Sequence, residues 1–417
     1  MTISNTPPSE TADGKTVFVV YLSARLISIA GAAATTVVVP VLVYASTGSA
    51  VLTGLTSGIG GASYFAFGIP VGHLVDRWPR GPVLVVCTLL RGLALAGMAA
   101  SALLGSLSLP ILLTVLVVTN VLFVATDSAH AGALRTLVGA DGLQRASASV
   151  AGFSAIVEIA APLATGVALH ETSATNVFFI EAVGLLGSAI LLRAICGRLD
   201  AADAVPRSRP TWSAAFSGFA FMWGTLPVRR VTTAAFFFAL TEGLVLGQLV
   251  VLFSGRYGHE EGTALVAQAY TAIAIGSAFG SWLLTRIPFT RHPLLVTSIS
   301  FLCAAVALSG MLVARSPAFT LAVVGLWAVP FIVVFVGSAA LRHSLAADHI
   351  QGRVAIAGRL LTLGAGIPLG NALGGLISET TSVETTYVAA SVLSLCVSAA
   401  FALTSVRTLL SKRVGTD

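Results

Sequence analysis

The sequence predicts an all-α membrane protein of twelve transmembrane helices arranged as two pseudo-symmetric six-helix bundles. Three observations carry this prediction. The 417 residues are 56% hydrophobic and only 10% charged, against about 25% charged in a soluble domain. Apolar runs long enough to cross about 30 Å of hydrocarbon, roughly 20 residues each, recur from residue 17 almost to the C-terminus. Basic residues and an internal repeat then fix the number and grouping of these runs.

Residues 1–16, MTISNTPPSETADGKT, are polar with two prolines. They read as a disordered cytoplasmic tail and not as a signal peptide, which needs an apolar core. Punctuation by Gly, Pro and charge then gives spans near 17–45, 50–75, 82–105, 108–134, 143–169 and 174–196, the N-terminal bundle being 17–196. Residues 197–229 form a cytoplasmic linker. Within it TWSAAFSGFAFMWGTLP is apolar but too short to span, and Phe216, Phe219 and Trp223 recur at three- and four-residue spacing. That pattern predicts a helix lying in the membrane interface. The second bundle, 230–407, has spans near 230–254, 262–285, 293–314, 317–341, 353–378 and 383–407, and 408–417 form a cytoplasmic tail.

Cytoplasmic loops collect Lys and Arg. With both termini cytoplasmic, 19 of the 23 basic residues fall in or beside cytoplasmic segments; only Arg256 and Arg315 fall outside, and Arg25 and Arg91 lie within spans. Adding or dropping one span would scramble this asymmetry. The net charge of +6 therefore reflects topology. No basic stripe with interleaved aromatics exists on a soluble segment, so nucleic-acid binding is not expected.

The segment after span four, LRTLVGADGLQRASASV, resembles the segment after span ten, LRHSLAADHIQGRVAIA. Ala133, Leu134, Arg135, Ala140, Asp141 and Gln144 match Ala340, Leu341, Arg342, Ala347, Asp348 and Gln351 at a constant offset of 207. Such a repeat in equivalent slots marks a duplicated six-helix unit.

Cys87, Cys196, Cys303 and Cys396 sit singly in apolar segments without C-x-x-C spacing, and the seven histidines form no H-E-x-x-H. They read as packed thiols and scattered imidazoles, so no disulfide framework, metal or cofactor is expected. No G-x-x-x-x-G-K-[ST] is present to bind ATP, and no G-x-S-x-G marks an enzyme.

Between spans two and three stands Gly72-His73-Leu74-Val75-Asp76-Arg77-Trp78-Pro79-Arg80-Gly81. This resembles the loop signature G-x-L-x-D-R-x-G-R-[RK] of the major facilitator superfamily, with Gly72, Leu74, Asp76, Arg77 and Arg80 matching. Pro79 and Gly81 replace the usual glycine and base. The resemblance implies the fold named above, a small-molecule substrate, and a cytoplasmic latch of Gly72, Asp76, Arg77, Arg80 and Asp127. In that latch Asp127 would pair with Arg80, and Asp76 would face the N-terminal end of span eleven. LSARLISIAG and PVLVYASTGSA in span one, Arg91, FSGFAFMWGTLPVRR, and Gly366-Ile367-Pro368-Leu369-Gly370 are similar to the twelve-helix drug, macrolide and siderophore efflux branch, although Ala32 stands where an aspartate is common.

An ionised side chain at mid-bilayer costs at least about 2.5–3.5 kcal/mol, so a charge kept there is a functional candidate. Arg25, Arg91, Glu158, Glu181 and Glu242 qualify. Glu242 and Glu158 are the candidate proton carriers, because a carboxyl can hold a proton when desolvated and release it when water enters. Glu242 could instead form a static ion pair with Arg25 or Arg91, and near Glu158 Pro162 points to a helix kink. Arg25, one turn from Tyr21, either binds an anionic or carbonyl-bearing substrate or neutralises a glutamate. Tyr21, Arg25, Asn120 and Glu242 are the candidate cavity residues, and Arg91 reads as structural. Glycines at 54, 58, 61 and 68 in span two and 366, 370 and 374 in span eleven predict close helix contact. Phe65, Phe67, Phe236, Phe237, Phe238, Phe331 and Phe335 mostly face lipid or partner helices.

The expectation is a monomeric, multi-pass inner-membrane exporter of small lipophilic or amphiphilic compounds. A proton gradient would drive it and the two halves would rock. The alternative within the same fold is an importer or facilitator of a small metabolite; a membrane enzyme or a sensor finds less in the sequence.

Overall fold

The computed structural model describes residues 12–75, 77–200, 212–347 and 350–414; Asp76, the first eleven residues and the linker stretch 201–211 lie outside it. Its helices run α1 (Ala12–Thr47), α2 (Ala50–Val75), α3 (Arg80–Leu103), α4 (Leu109–Gly139), α5 (Gly142–Leu169) and α6 (Ala174–Ile195). The linker helix (Trp212–Gly224) follows, then α7 (Leu226–Tyr257), α8 (His259–Leu284), α9 (Pro293–Val313), α10 (Pro317–Leu345), α11 (Gln351–Thr380) and α12 (Val383–Val414). Among the described residues eleven helices are long and apolar enough to cross a membrane. The twelfth, α2, has 26 residues, or about 39 Å at 1.5 Å each. Its glycines, serines and threonines lower its hydropathy without shortening it.

The helices are interrupted at chemically sensible points. α4 and α5 form one helical run broken at Gly139, whose φ of 71° glycine adopts freely because it has no Cβ. α7 is discontinuous: its α-helical parts are Leu226–Leu246 and Leu249–Tyr257, joined by Gly247 and Gln248. α11 carries a seven-residue π-helical turn, Leu360–Gly366, just before Pro368, which cannot donate to the preceding turn.

Contacts divide the chain into two compact units: Met1–Val38 with Ala66–Arg209, and Val39–Phe65 with Pro210–Asp417. This differs from the expected grouping of 17–196, because the end of α1 and the first part of α2 pack with the later helices. The physical reason is the glycine stripe. A Cβ on Gly58 would lie 3.3 Å from Pro368 Cα, and Gly54 and Gly61 lie still closer to the backbone carbonyls of Asn371 and Leu363. Only hydrogen at these positions lets the two backbones approach. Glu379 at the end of α11 completes the contact, its Oε2 accepting from the Ala50 amide at 2.7 Å and from the Val51 amide and Ser49 hydroxyl at 3.3 Å. It satisfies the orphan donors and the positive dipole end of α2.

The first unit is held by a core of Val17, Tyr21, Ala24, Leu84, Ala129, Ala133 and Leu192, where small alanines on α4 bring it close to α1. Gly81 at the start of α3 donates its amide to Asp200 at 3.0 Å. In the second unit, Phe238 of α7 packs against Phe301 of α9 with centroids 4.1 Å apart and the rings tilted by 37°, and Trp327, Phe331 and Phe335 stack along α10. Phe65 and Phe67 are exposed. The linker helix docks through Met222 and Phe219 against Val354 and Ala357, leaving Phe216 and Trp223 exposed.

Candidate functional site

The first unit organises its polar groups on one face of α1. Tyr21, Arg25, Ser28, Gly31 and Thr35 are spaced by three or four residues, which aligns them along a single stripe. Together they meet three neighbouring helices, α3, α4 and α6. The Tyr21 hydroxyl donates to the His130 carbonyl at 3.2 Å and lies 3.1 Å from His130 Nδ1, the rings meeting edge to face. Arg25 Nη2 forms an ion pair with Asp127 Oδ1 at 2.6 Å. Arg91 of α3 donates to Ser28 at 2.7 Å and lays its guanidinium 5.1 Å from the Phe123 ring centroid. Thr35 donates to Glu181 Oε2 at 2.6 Å. Gly31 makes room for that carboxylate, since a Cβ there would sit 2.7 Å from Glu181 Cγ.

The charges in this stripe are incompletely paired. Among the described residues Arg25–Asp127 is the one ion pair. Arg25 Nη1 and Arg91 Nε are buried without a hydrogen-bond partner. Glu158 is exposed and close enough to Arg25 to feel its charge. Arg91 likewise acts on Glu181 across space without touching it. Such a network can bind a polar group of a ligand or move a proton, because buried donors left unmade are costly and are satisfied by whatever polar atom enters.

In the second unit Glu242 sits on α7 with Oε2 buried and no hydrogen-bond donor reaching it. Tyr270 of α8 lies within range of its charge. One turn and a half further on, at the break in α7, Gln248 donates to the Ala50 and Gly247 carbonyls at 3.3 and 3.0 Å. Its Oε1 and the Asn371 Oδ1 remain unpaired in the buried interior.

The sequence expected Asp127 opposite Arg80; the structure places Asp127 on Arg25. Arg80 donates to the Gly132 carbonyl at 2.6 Å and to Thr136 at 3.2 Å, further along α4 than Asp127. Asp127 and His130 share a turn that faces α1, which explains why its partner is there. Arg77 is exposed, 2.8 Å from His73, Gly72 faces Ser128, and the expectation for Asp76 lies outside the described residues. Asn120 bonds its own helix at Leu116, 2.8 Å away. Arg91 is buried at 3% exposure and bridges α3, α1 and α4. His130 and the Thr35–Glu181 contact were not singled out as site features by sequence reasoning. A histidine inside an apolar span is itself the available signal.

Residues 21–362 match the sequence profile described as the Major Facilitator Superfamily. No curated protein sequence matches the chain. Among solved structures, a bacterial homologue of the human lysosomal transporter Spinster, in an inward-facing and unoccupied conformation, aligns with a TM-score of 0.77 at 14% identity. The alignment covers 96% of this chain and 98% of that one. The nucleoside transporter NupG aligns with a TM-score of 0.68 at 12% identity, covering 93% of this chain and 98% of that one. At these identities the likeness is one of fold.

Proposed function

The chain belongs to the Major Facilitator Superfamily and is a multi-pass membrane transporter, and from that premise we propose that it is a proton-coupled exporter of small lipophilic or amphiphilic compounds. The observation that supports proton coupling is Glu242, a buried carboxyl oxygen in mid-span with no donor to it. A group whose charge its surroundings support so little is suited to carry a proton between two exposures. Glu158 is the second candidate, beside Arg25. In this reading the α1 stripe of Tyr21 and Arg25 receives the polar part of the cargo, and Asn120 of α4 is a further cavity residue. Arg80 and the loop from Gly72 to Arg77 serve as the cytoplasmic latch that opens and closes during alternating access. The protein works as a monomer in the cell's inner membrane, both termini cytoplasmic, with the proton gradient in place of a cofactor. Export as the direction rests on the sequence resemblance to the efflux branch.

The test is drug and dye efflux from an efflux-deficient host, followed by proton-driven transport in everted vesicles. Glu242→Gln should abolish gradient-driven movement while the protein still inserts and purifies as a single species. Unchanged transport in that variant refutes the role. A second reading, import of a small polar metabolite, is favoured by the charged character of the Arg25–Asp127–Glu158 group and by the nucleoside transporter among the similar folds. Uptake without efflux would establish it.

A further inference from the structure

The two basic residues that depart from the charge asymmetry, Arg256 and Arg315, lie 59 positions apart, yet they line one cavity of the second unit. The cavity measures about 340 Å³ and is completed by Tyr257, Leu312, Ala314 and Glu384. It lies on the side where sequence patterning disfavours Lys and Arg, so each cation there needs a local reason. Arg256 has one: its Nη1 donates to the Met311 and Ala314 carbonyls at 2.7 and 3.3 Å, capping the end of α9 as a cation at a C-terminus does. Glu384 has one too, in the first turn of α12, where the helix end is positive. Arg315 has none. It is exposed in the connection between α9 and α10, and among the described residues neither it, Arg256 nor Glu384 is in an ion pair.

A guanidinium carries five donors, and Arg256 commits one nitrogen to the α9 cap, so most of the donor capacity of the two arginines is open. The Tyr257 hydroxyl, 2.8 Å from Thr320, braces the wall between them and α10. With two cations and one carboxylate at its rim the cavity carries a net positive charge. Glu384 would accept from a hydroxyl or ammonium on whatever is bound. We propose that this cavity is an anion site on the face opposite the basic loops, binding a carboxylate or phosphate group that carries a neighbouring hydrogen-bond donor. Its volume, at the low end for small-molecule pockets, suits a small solute or a lipid headgroup. The proposal goes beyond the transport reading and depends neither on its direction nor on its coupling.

The test uses the full chain in nanodiscs of phosphatidylcholine, with inorganic phosphate titrated at constant ionic strength and the thermal midpoint as readout. A parallel arm replaces part of the lipid with phosphatidylglycerol, whose headgroup joins a phosphate to hydroxyls. Stabilisation by phosphate in the first arm identifies a soluble ligand; stabilisation by phosphatidylglycerol, with phosphate then adding nothing, identifies a headgroup. In either case Arg315→Gln, an exposed change that leaves the α9 cap intact, should weaken the response about tenfold, the loss of one charge-assisted contact. Glu384→Gln should strengthen the response to inorganic phosphate, since a carboxylate beside the anion is removed. No stabilisation in either arm, or the same response in Arg315→Gln as in the unaltered protein, overturns the proposal.

Discussion

Removing Arg25 or Asp127 singly should harm the first unit far more than removing both. The pair is 2.6 Å apart, with side-chain exposures of 15% and 23%, so water screens it only weakly. Deleting one member takes from the other its charged partner in a poorly solvated site and costs about 3–5 kcal/mol. Replacing both by apolar residues of similar length, as in Arg25→Met with Asp127→Leu, removes the desolvation cost together with the attraction and should be near neutral. The double-mutant cycle should therefore show strong coupling, the double variant losing far less than the two single variants together. Each kcal/mol moves the midpoint of a unit of 150–250 residues by about 2–4 °C. Thermal unfolding of the purified protein in detergent should thus show either single variant lowered by about 6–20 °C and the double variant by less than either. If the double variant loses as much as the sum of the singles, the two residues do not act as a pair and Arg25 and Asp127 are held independently of one another.

Gly54→Leu should prevent α2 from seating on α11, because its side chain would be driven into the Asn371 backbone, which cannot rotate away. The yield of monodisperse protein should collapse, while Gly97→Ala, which meets nothing within 4 Å, should purify normally. Glu379→Ala should lower the unfolding midpoint by an amount equivalent to about 1–2 kcal/mol, the scale of a lost helix cap with its charge. Glu379→Gln should lose only part of this, since an amide oxygen still accepts from the Ala50 amide; equal losses in the two would show that hydrogen bonding contributes nothing there. Thr35→Val should perturb Glu181 without changing side-chain volume and destabilise by about 1–3 kcal/mol, the cost of a buried acceptor deprived of its donor; a neutral effect would place Glu181 in contact with water.

Much of the architecture was legible in the linear chain because it depends on properties that residues carry with them. Run length and apolarity decide which segments cross lipid, since an unpaired backbone in hydrocarbon is too costly for anything except helix. The glycines of α2 and α11 announced a close approach, because small residues at helical spacing have few other uses in a membrane. The five intramembrane charges stood out for the same energetic reason.

Partnership was another matter. Spacing places Tyr21, Arg25, Ser28 and Thr35 on one face of α1 but does not say that His130, Asp127, Arg91 and Glu181 from three other helices meet that face. Asp127 could be drawn opposite Arg80 by resemblance. Only the packing of alanine-rich α4 against α1 turns it toward Arg25 and leaves Arg80 to the Gly132 carbonyl. Likewise the break at Gly247–Gln248, and the convergence of Arg256 with Arg315, arise from helix ends brought together after folding. A sequence determines which groups need partners, through their charge and their place in the bilayer. Which partner each one finds is decided by helix rotation and distance, quantities that exist only once the helices are packed.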